Sequence, residues 1–175
     1  MAQSHNGGTN LDNSLARARQ QLAIPPQLPI DQTATSIVQV LDWNKASAPP
    51  QNVPGLCAGN SNNIAVECLT YLELKAGVYR FHINTDDRSG VYSGVNLAAT
   101  APIWEAPGST ANTTFDFAVQ ADGLYPFNII WEETGGSAVL QLWSVDLNTA
   151  TEVLINDPTD PVGVVKAWYP IVCKS

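Results

Sequence analysis

From residue 63 onward the side chains alternate between apolar and polar with a period of two. That period belongs to half-buried β-strands, because successive side chains of a strand point to opposite faces. In NIAVECLTYLEL, Ile64, Val66, Cys68 and Leu72 share one face. In VYRFHINT, Tyr79, Phe81 and Ile83 point inward while Arg80, His82 and Asn84 point outward. TTFDFAVQ repeats the pattern with Phe115, Phe117 and Val119. LYPFNIIWEE carries Tyr125, Phe127, Ile129 and Trp131 on one side, and AVLQLWSV, EVLI and VVKAWY follow. With TSIVQVLDW (35–43) this makes about eight short strands, separated by KAG, ADG and TGGS turns. The pattern predicts an all-β, antiparallel, jelly-roll-like β-sandwich. Pro126 falls inside a strand, so an edge or a bulge is expected there, since proline lacks the ladder N–H. Residues with no βαβ alternation leave no room for an α/β fold.

The first part of the chain reads differently. NLDNSLARARQQL places Leu11, Leu15 and Leu22 at helical spacing, with Asp12 or Asn13 as a cap. IPPQLP stops the helix. Residues 1–34 are therefore expected to form an arm with a short helix, laid over the domain or onto a neighbour. Residues 35–175 form the sandwich domain. MAQSHNGGTN has no apolar signal-peptide core. A removed signal, a domain cut from a longer chain and another export route all fit.

The chain holds 8 Lys and Arg against 16 Asp and Glu, a formal net charge of −8. Such a surface repels phosphate backbones and anionic lipid, which argues against nucleic acid as a partner. No stretch approaches the ~20 apolar residues of a membrane-spanning helix, so membrane insertion is not expected. With 45% hydrophobic and only 14% charged residues, the composition is globular and suits an extracellular or cell-surface β-protein. Of three cysteines, Cys57 and Cys68 flank the polar loop CAGNSNNIAVEC and are expected to bridge it. Three buried free thiols are the alternative, and Cys173 is then unpaired or competes for Cys57.

The stretch INTDDRSG sets Asp86 and Asp87 side by side at the end of a strand. LKAGVYRFHINTDD, followed by ADGLYPFNIIWEETGGSAVLQLWSV, resembles the β-sandwich family named after the N-terminal domain of anthrax protective antigen. The residues that carry the likeness are Gly77, Tyr79, Phe81, Asp86 and Asp87, then Gly123, Tyr125 and Pro126, the loop from Trp131 to Gly136, and Leu142 with Trp143. The match covers roughly residues 63–169. In the yeast flocculin and epithelial-adhesin branch, the resemblance implies an Asp-Asp pair joined by a cis peptide that binds calcium, with the ion holding sugar hydroxyls. A second loop there supplies an asparagine and backbone carbonyls. Its counterpart here is Glu132–Ser137, with Glu133 at the asparagine position. The resemblance therefore implies Asp86, Asp87 and Glu133 as ligands of Ca²⁺, a hard cation that takes six to eight oxygens. Two departures stand out: Glu replaces Asn, and the long sugar-contacting subdomain of the yeast proteins has no counterpart.

Other roles are open to the same residues. Asp86 suits an Asx-type turn, and Asp87 an ion pair with Arg88 or Arg80. Arg88, Trp104, Trp131 and Tyr92 are the candidate ligand contacts, with Trp104 in APIWEAPG and then Tyr92 expected to be the exposed aromatics. Trp143 and Trp168 are expected in the core. His82 is the sole histidine of the β region, and neither zinc-ligand spacing nor a G-x-S-x-G elbow accompanies it, so catalysis is not expected. Asn112-Thr113-Thr114 is one glycosylation sequon. The combined expectation is a non-catalytic carbohydrate-binding adhesion domain, Ca²⁺-assisted, with a glycan or cell-surface polysaccharide as partner. A self-assembling structural subunit, a homo-oligomer joined through its arm, is the alternative.

Overall fold

The computed structural model describes residues 2–4, 11–45, 53–56, 63–94, 101–159 and 165–169. Its strands, among these residues, are β1 (Ala2–Ser4), β2 (Gln32–Ala34), β3 (Asp42–Lys45), β4 (Ile64–Leu74), β5 (Gly77–Asp86), β6 (Ser89–Ser93), β7 (Pro102–Glu105), β8 (Thr110–Val119), β9 (Gly123–Glu133), β10 (Ala138–Val145), β11 (Glu152–Leu154) and β12 (Lys166–Trp168). One helix, α1 (Leu15–Leu22), lies between β1 and β2. The first sheet runs β2-β1-β4-β9-β6-β7, with β12 also on β4. The second runs β11-β10-β5-β8, with β3 also on β10. All pairings are antiparallel. The fold is the expected antiparallel β-sandwich.

The inward residues of the two sheets form one core. Phe81 of β5 meets Phe115 of β8 and Phe127 of β9, each with ring centroids 5.6 Å apart, and Phe117 lies 5.1 Å from Phe127. Ile64, Val66, Leu72, Ile129 and Leu140 complete it. Each such side chain contributes about 1.5–3 kcal/mol when fully withdrawn from water. The two-residue period thus places the faces of β4, β5, β8 and β9 as expected. Pro126 lies in β9, an interior strand, but beyond the end of β6, whose partners stop at Phe127. Gly94 N donates to Pro126 O at 3.3 Å, so the side of Pro126 that lacks an N–H faces the point where β6 has ended. It is a local edge.

A second, smaller cluster lies on the outer face of the first sheet. Ala18 and Leu22 of α1 cover Ala65, Tyr92 and Ile130. Ser14 caps the helix, not Asp12 or Asn13: its Oγ accepts from Arg17 N at 3.2 Å. The arm therefore lies over its own domain, with β1 hydrogen-bonded between β4 and β2. The run 35–43 is not one strand. Residues 32–34 belong to the first sheet and 42–45 to the second, so the chain crosses between sheets at 35–41 and leaves Ile37 72% exposed. β-Branched content alone could not reveal that crossing.

The tryptophans also depart from expectation. Trp143 projects from the outer face of β10 and stacks on His82, centroids 4.8 Å apart, because Leu140 and Leu142 take the inward parity. Trp168 is 51% exposed, with its indole N–H on Glu73 at 3.2 Å. Trp104, expected to be exposed, sits instead in edge strand β7, half-buried, stacked on Phe115 at 5.9 Å. Cys68 is a free thiol, so the Cys57–Cys68 bridge is not formed. It lies mid-strand in β4, and burial pushes its thiol up to about 12. Cys57 and Cys173 lie outside the described residues.

Candidate functional site

The end of β5 and the end of β9 meet at one edge of the sandwich. Asp86 is the last residue of β5, paired with Val139 of β10 and Thr110 of β8. The Asp86–Asp87 peptide is cis, as the resemblance implied. The chain turns at once into β6, where Ser89 pairs with Trp131 of β9. Glu132 N then donates to Arg88 O at 3.0 Å, which clamps the turn against β9.

Asp87 is nearly buried, 7% exposed. Its Oδ2 accepts from Thr134 N at 2.9 Å and from the Thr134 hydroxyl at 2.7 Å. Its carbonyl accepts from the Thr85 hydroxyl at 2.6 Å. Asp87 is thus tied to the loop after β9, and not to an arginine. Arg80 instead pairs with Asp116 on the outer face of the second sheet, at 2.7 and 2.9 Å. The buried Nε of Arg88 has no hydrogen-bond partner. Asp86 keeps a half-exposed carboxyl, raised above the usual carboxylate range by burial and then by the Asp87 charge. Its carbonyl accepts the Trp131 indole N–H at 3.2 Å.

Behind the turn stand two buried glutamates. Glu132 and Glu133 are both 0% exposed. Burial pushes Glu132 up, and Arg17 beside it pulls it back. Arg17 comes from α1, is 4% exposed, and ion-pairs with Glu132. Its remaining donors reach Asp12 O (3.0 Å), Gln21 Oε1 (2.8 Å) and Ile64 O (3.0 Å), a rigid fork used almost to capacity. Glu133 has no such partner. Neither of its carboxylate oxygens makes a hydrogen bond. Burial pushes it up to about 8, Asp87 and Asp86 push the same way, and the nearby amides of Gly135 and Asp87 oppose this without closing a hydrogen bond. A buried carboxyl with two idle oxygens carries a desolvation cost of about 1–3 kcal/mol or more.

The structure thus brings Asp86, Asp87 and Glu133 into one electrostatically coupled corner. Their side chains do not form a closed cage: among the described residues no three His, Cys, Asp or Glu side chains are arranged to hold a metal ion. The donor chemistry nonetheless fits Ca²⁺. It is all oxygen, it is anionic, and two of its oxygens are buried and unsatisfied. Gly136, at φ +111°, gives the facing loop a backbone conformation that side chains disfavour.

The four ligand-contact candidates fare differently. Arg88 is half-buried beside the turn. Trp131 is wholly buried, 6.1 Å from Trp43 in the core, and offers no surface. Tyr92, expected to be exposed, is 2% exposed beneath α1, with Arg19 over its ring at 4.4 Å and its hydroxyl on Glu105. Trp104 faces Phe115 at the opposite edge of the first sheet from β2. Three residues position the corner in roles that the sequence patterns do not assign: Arg17, Thr134 and Asn63. Asn63, at φ +53°, accepts from Leu11 N at 2.8 Å through its side chain and from Gln21 Nε2 at 2.7 Å through its carbonyl. The signal for Arg17 was present, since Arg17 and Gln21 sit four apart inside the Ala18/Leu22 stripe.

No protein-family model matches the chain, and no curated protein matches it in sequence. Solved structures match it in fold. A PA14 sugar-binding domain from an RTX adhesin superposes with a TM-score of 0.61 at 20% identity, covering 88% of this chain and 91% of that one. The PA14 domain of the antifreeze protein MpAFP gives 0.61 at 15%, covering 95% and 88%. The A domain of epithelial adhesin 6 from Candida glabrata, in complex with Galβ1-3GlcNAc, gives 0.60 at 12%, covering 87% and 81%. The fold is that of the PA14 β-sandwich. No helix among the described residues is long and apolar enough to cross a membrane.

Proposed function

We propose that this chain is a non-catalytic carbohydrate-binding adhesion domain of the extracellular space or cell surface. Its binding end is the Asp86–Asp87 turn with the Glu133 loop behind it. The observation that carries this reading is Glu133, a buried carboxylate with both oxygens idle beside two further carboxylates. Calcium bound there would offset the mutual repulsion of the three groups and supply a Lewis-acidic contact for vicinal sugar hydroxyls. Asp86 and Asp87 would hold the ion, with Glu133 adding negative charge. Thr134 keeps Asp87 oriented through two hydrogen bonds. The likeness in fold to an RTX-adhesin sugar-binding domain and to epithelial adhesins solved with galactosyl-GlcNAc supports a glycan as the partner.

The test is calorimetric titration of a β-galactoside panel, Galβ1-3GlcNAc and Galβ1-4GlcNAc included, in Ca²⁺ and in EDTA. Wild type is expected to bind at least one glycan in Ca²⁺ only, and Asp87→Asn none. If a wider glycan array also stays silent in Ca²⁺, the reading is wrong.

A further inference from the structure

A second concavity lies farther along β4 than the acidic corner. On the outer side of β4, β1 covers residues 64–66 and β12 covers 71–73. Between them, over residues 68–70, no strand among the described residues closes the edge. A cavity of about 780 Å³ opens there and runs inward between the two sheets. Its floor is the core itself: Leu72, Ile129 and Leu142. Its rim is apolar and open to water, with Ile37 72%, Trp168 51% and Tyr169 61% exposed. Large exposed apolar side chains gathered at the mouth of an apolar cavity are uncommon on a soluble domain. The volume lies in the range of about 300–1,000 Å³ usual for small-molecule sites.

The lining also selects by charge. Glu67 is the one charged residue among the described lining residues, and its carboxylate accepts from Asn128 Nδ2 at 2.8 Å. No cation lines the cavity among those residues, and the whole chain carries −8. An anion entering here would lose its water and find no counter-charge. Two of the polar side chains that line it are already engaged. Thr70 Oγ1 is already bonded to Trp168 O at 3.1 Å, and Asn156 Nδ2 to Gln39 O at 3.0 Å.

We propose that this cavity is a binding site for an uncharged, largely apolar small molecule with an aryl or alkyl frame, separate from the acidic corner. The apolar frame displaces water from the Leu72–Leu142 floor, and Trp168 and Tyr169 close over its outer end.

The test uses two probes of one frame: N-phenyl-1-naphthylamine, which is neutral, and its 8-sulfonate analogue, which is anionic. Wild type is expected to give saturable one-to-one fluorescence enhancement with the neutral probe, unchanged between EDTA and Ca²⁺. The sulfonate is expected to bind at least about tenfold more weakly, for want of a counter-charge. Ala167→Trp projects bulk into the cavity from β12 and is expected to abolish binding. Trp168→Glu changes an exposed rim residue and is expected to weaken neutral-probe binding severalfold. Absence of saturable enhancement in wild type overturns the proposal. So does equal affinity for the two probes, or wild-type affinity in the folded Trp168→Glu protein.

Discussion

Replacing Glu133 with glutamine probes the acidic corner most directly. The substitution keeps shape and volume and removes one charge. In the folded chain burial, helped by Asp87 and Asp86, holds this carboxyl at about 8, against 4.5 as an ordinary glutamate. A folded value above the unfolded one means that the unfolded chain releases its proton first. Stability therefore falls as pH rises from 4.5 toward 8 and then levels off. The slope is at most about 1.4 kcal/mol per pH unit. Between pH 4.5 and pH 7 it sums to roughly 3 kcal/mol, an upper bound because local relaxation and water entry cheapen ionisation. For a chain of this length that is at most about 6–12 °C in Tm. The assay is thermal unfolding of wild type and Glu133→Gln at pH 5, 6, 7 and 8, in EDTA and in excess Ca²⁺. In EDTA the two proteins should nearly coincide at pH 5, and the glutamine variant should lead by several degrees at pH 8. In Ca²⁺ wild type should recover, and recover more at higher pH, because a bound cation requires the ionised carboxylate. Titrating groups that are not coupled to Glu133 cancel in the difference between the two proteins. Parallel profiles in EDTA would refute the burial argument. Recovery of the glutamine variant equal to that of wild type would remove Glu133 from the calcium reading.

Three further outcomes can be checked independently. Arg17→Met strands the buried Glu132 carboxylate and should cost about 3–5 kcal/mol in urea unfolding, with much of it restored in Arg17→Met/Glu132→Leu. Gly90→Ala sets a Cβ 2.5 Å from the Tyr92 hydroxyl and 2.8 Å from its ring, where α1 leaves the ring no retreat, so a loss of about 1–3 kcal/mol is expected by the same assay. Native Cys68, half-buried where it lines the cavity, should react with iodoacetamide in peptide mapping at pH 8 more slowly than in denaturant, because burial pushes its thiol up to about 12.

Much of this architecture is legible as periodicity. The inward faces of β4, β5, β8 and β9 follow from alternation alone, since one sheet face is dry and a one-residue slip would invert it. What alternation cannot reveal is which outward face a helix will later cover. Tyr92 reads as exposed in SGVYSG because its cover, Ala18, Leu22 and Arg19, lies seventy or more residues earlier. Trp143 fails for the opposite reason: its parity in AVLQLWSV is outward, but bulk suggested core, and parity won. The free Cys68 reflects a third limit, because loop length shows that a bridge could close and says nothing about where the thiol points.

The acidic corner shows the same division between local and distant information. Asp86, Asp87 and Glu133 were legible from two short motifs, but what holds them was not. The expected counter-ion, Arg88, adjoins the pair in sequence, yet its buried Nε lacks a hydrogen-bond partner. The cation that serves the corner is Arg17, 115 positions before Glu132 and carried in by the arm. Arg17 pairs with Glu132, and its charge also acts on Asp87. It leaves Glu133 without a hydrogen bond or an ion pair. A fully neutralised corner would have little affinity for a divalent cation, and a wholly uncompensated one would strain the fold. With one glutamate paired by α1 and another left without a partner, the fold is held together while two buried carboxyl oxygens stay available behind the turn. If the corner binds calcium as proposed, the arm is part of the binding end, although it contributes no ligand to it.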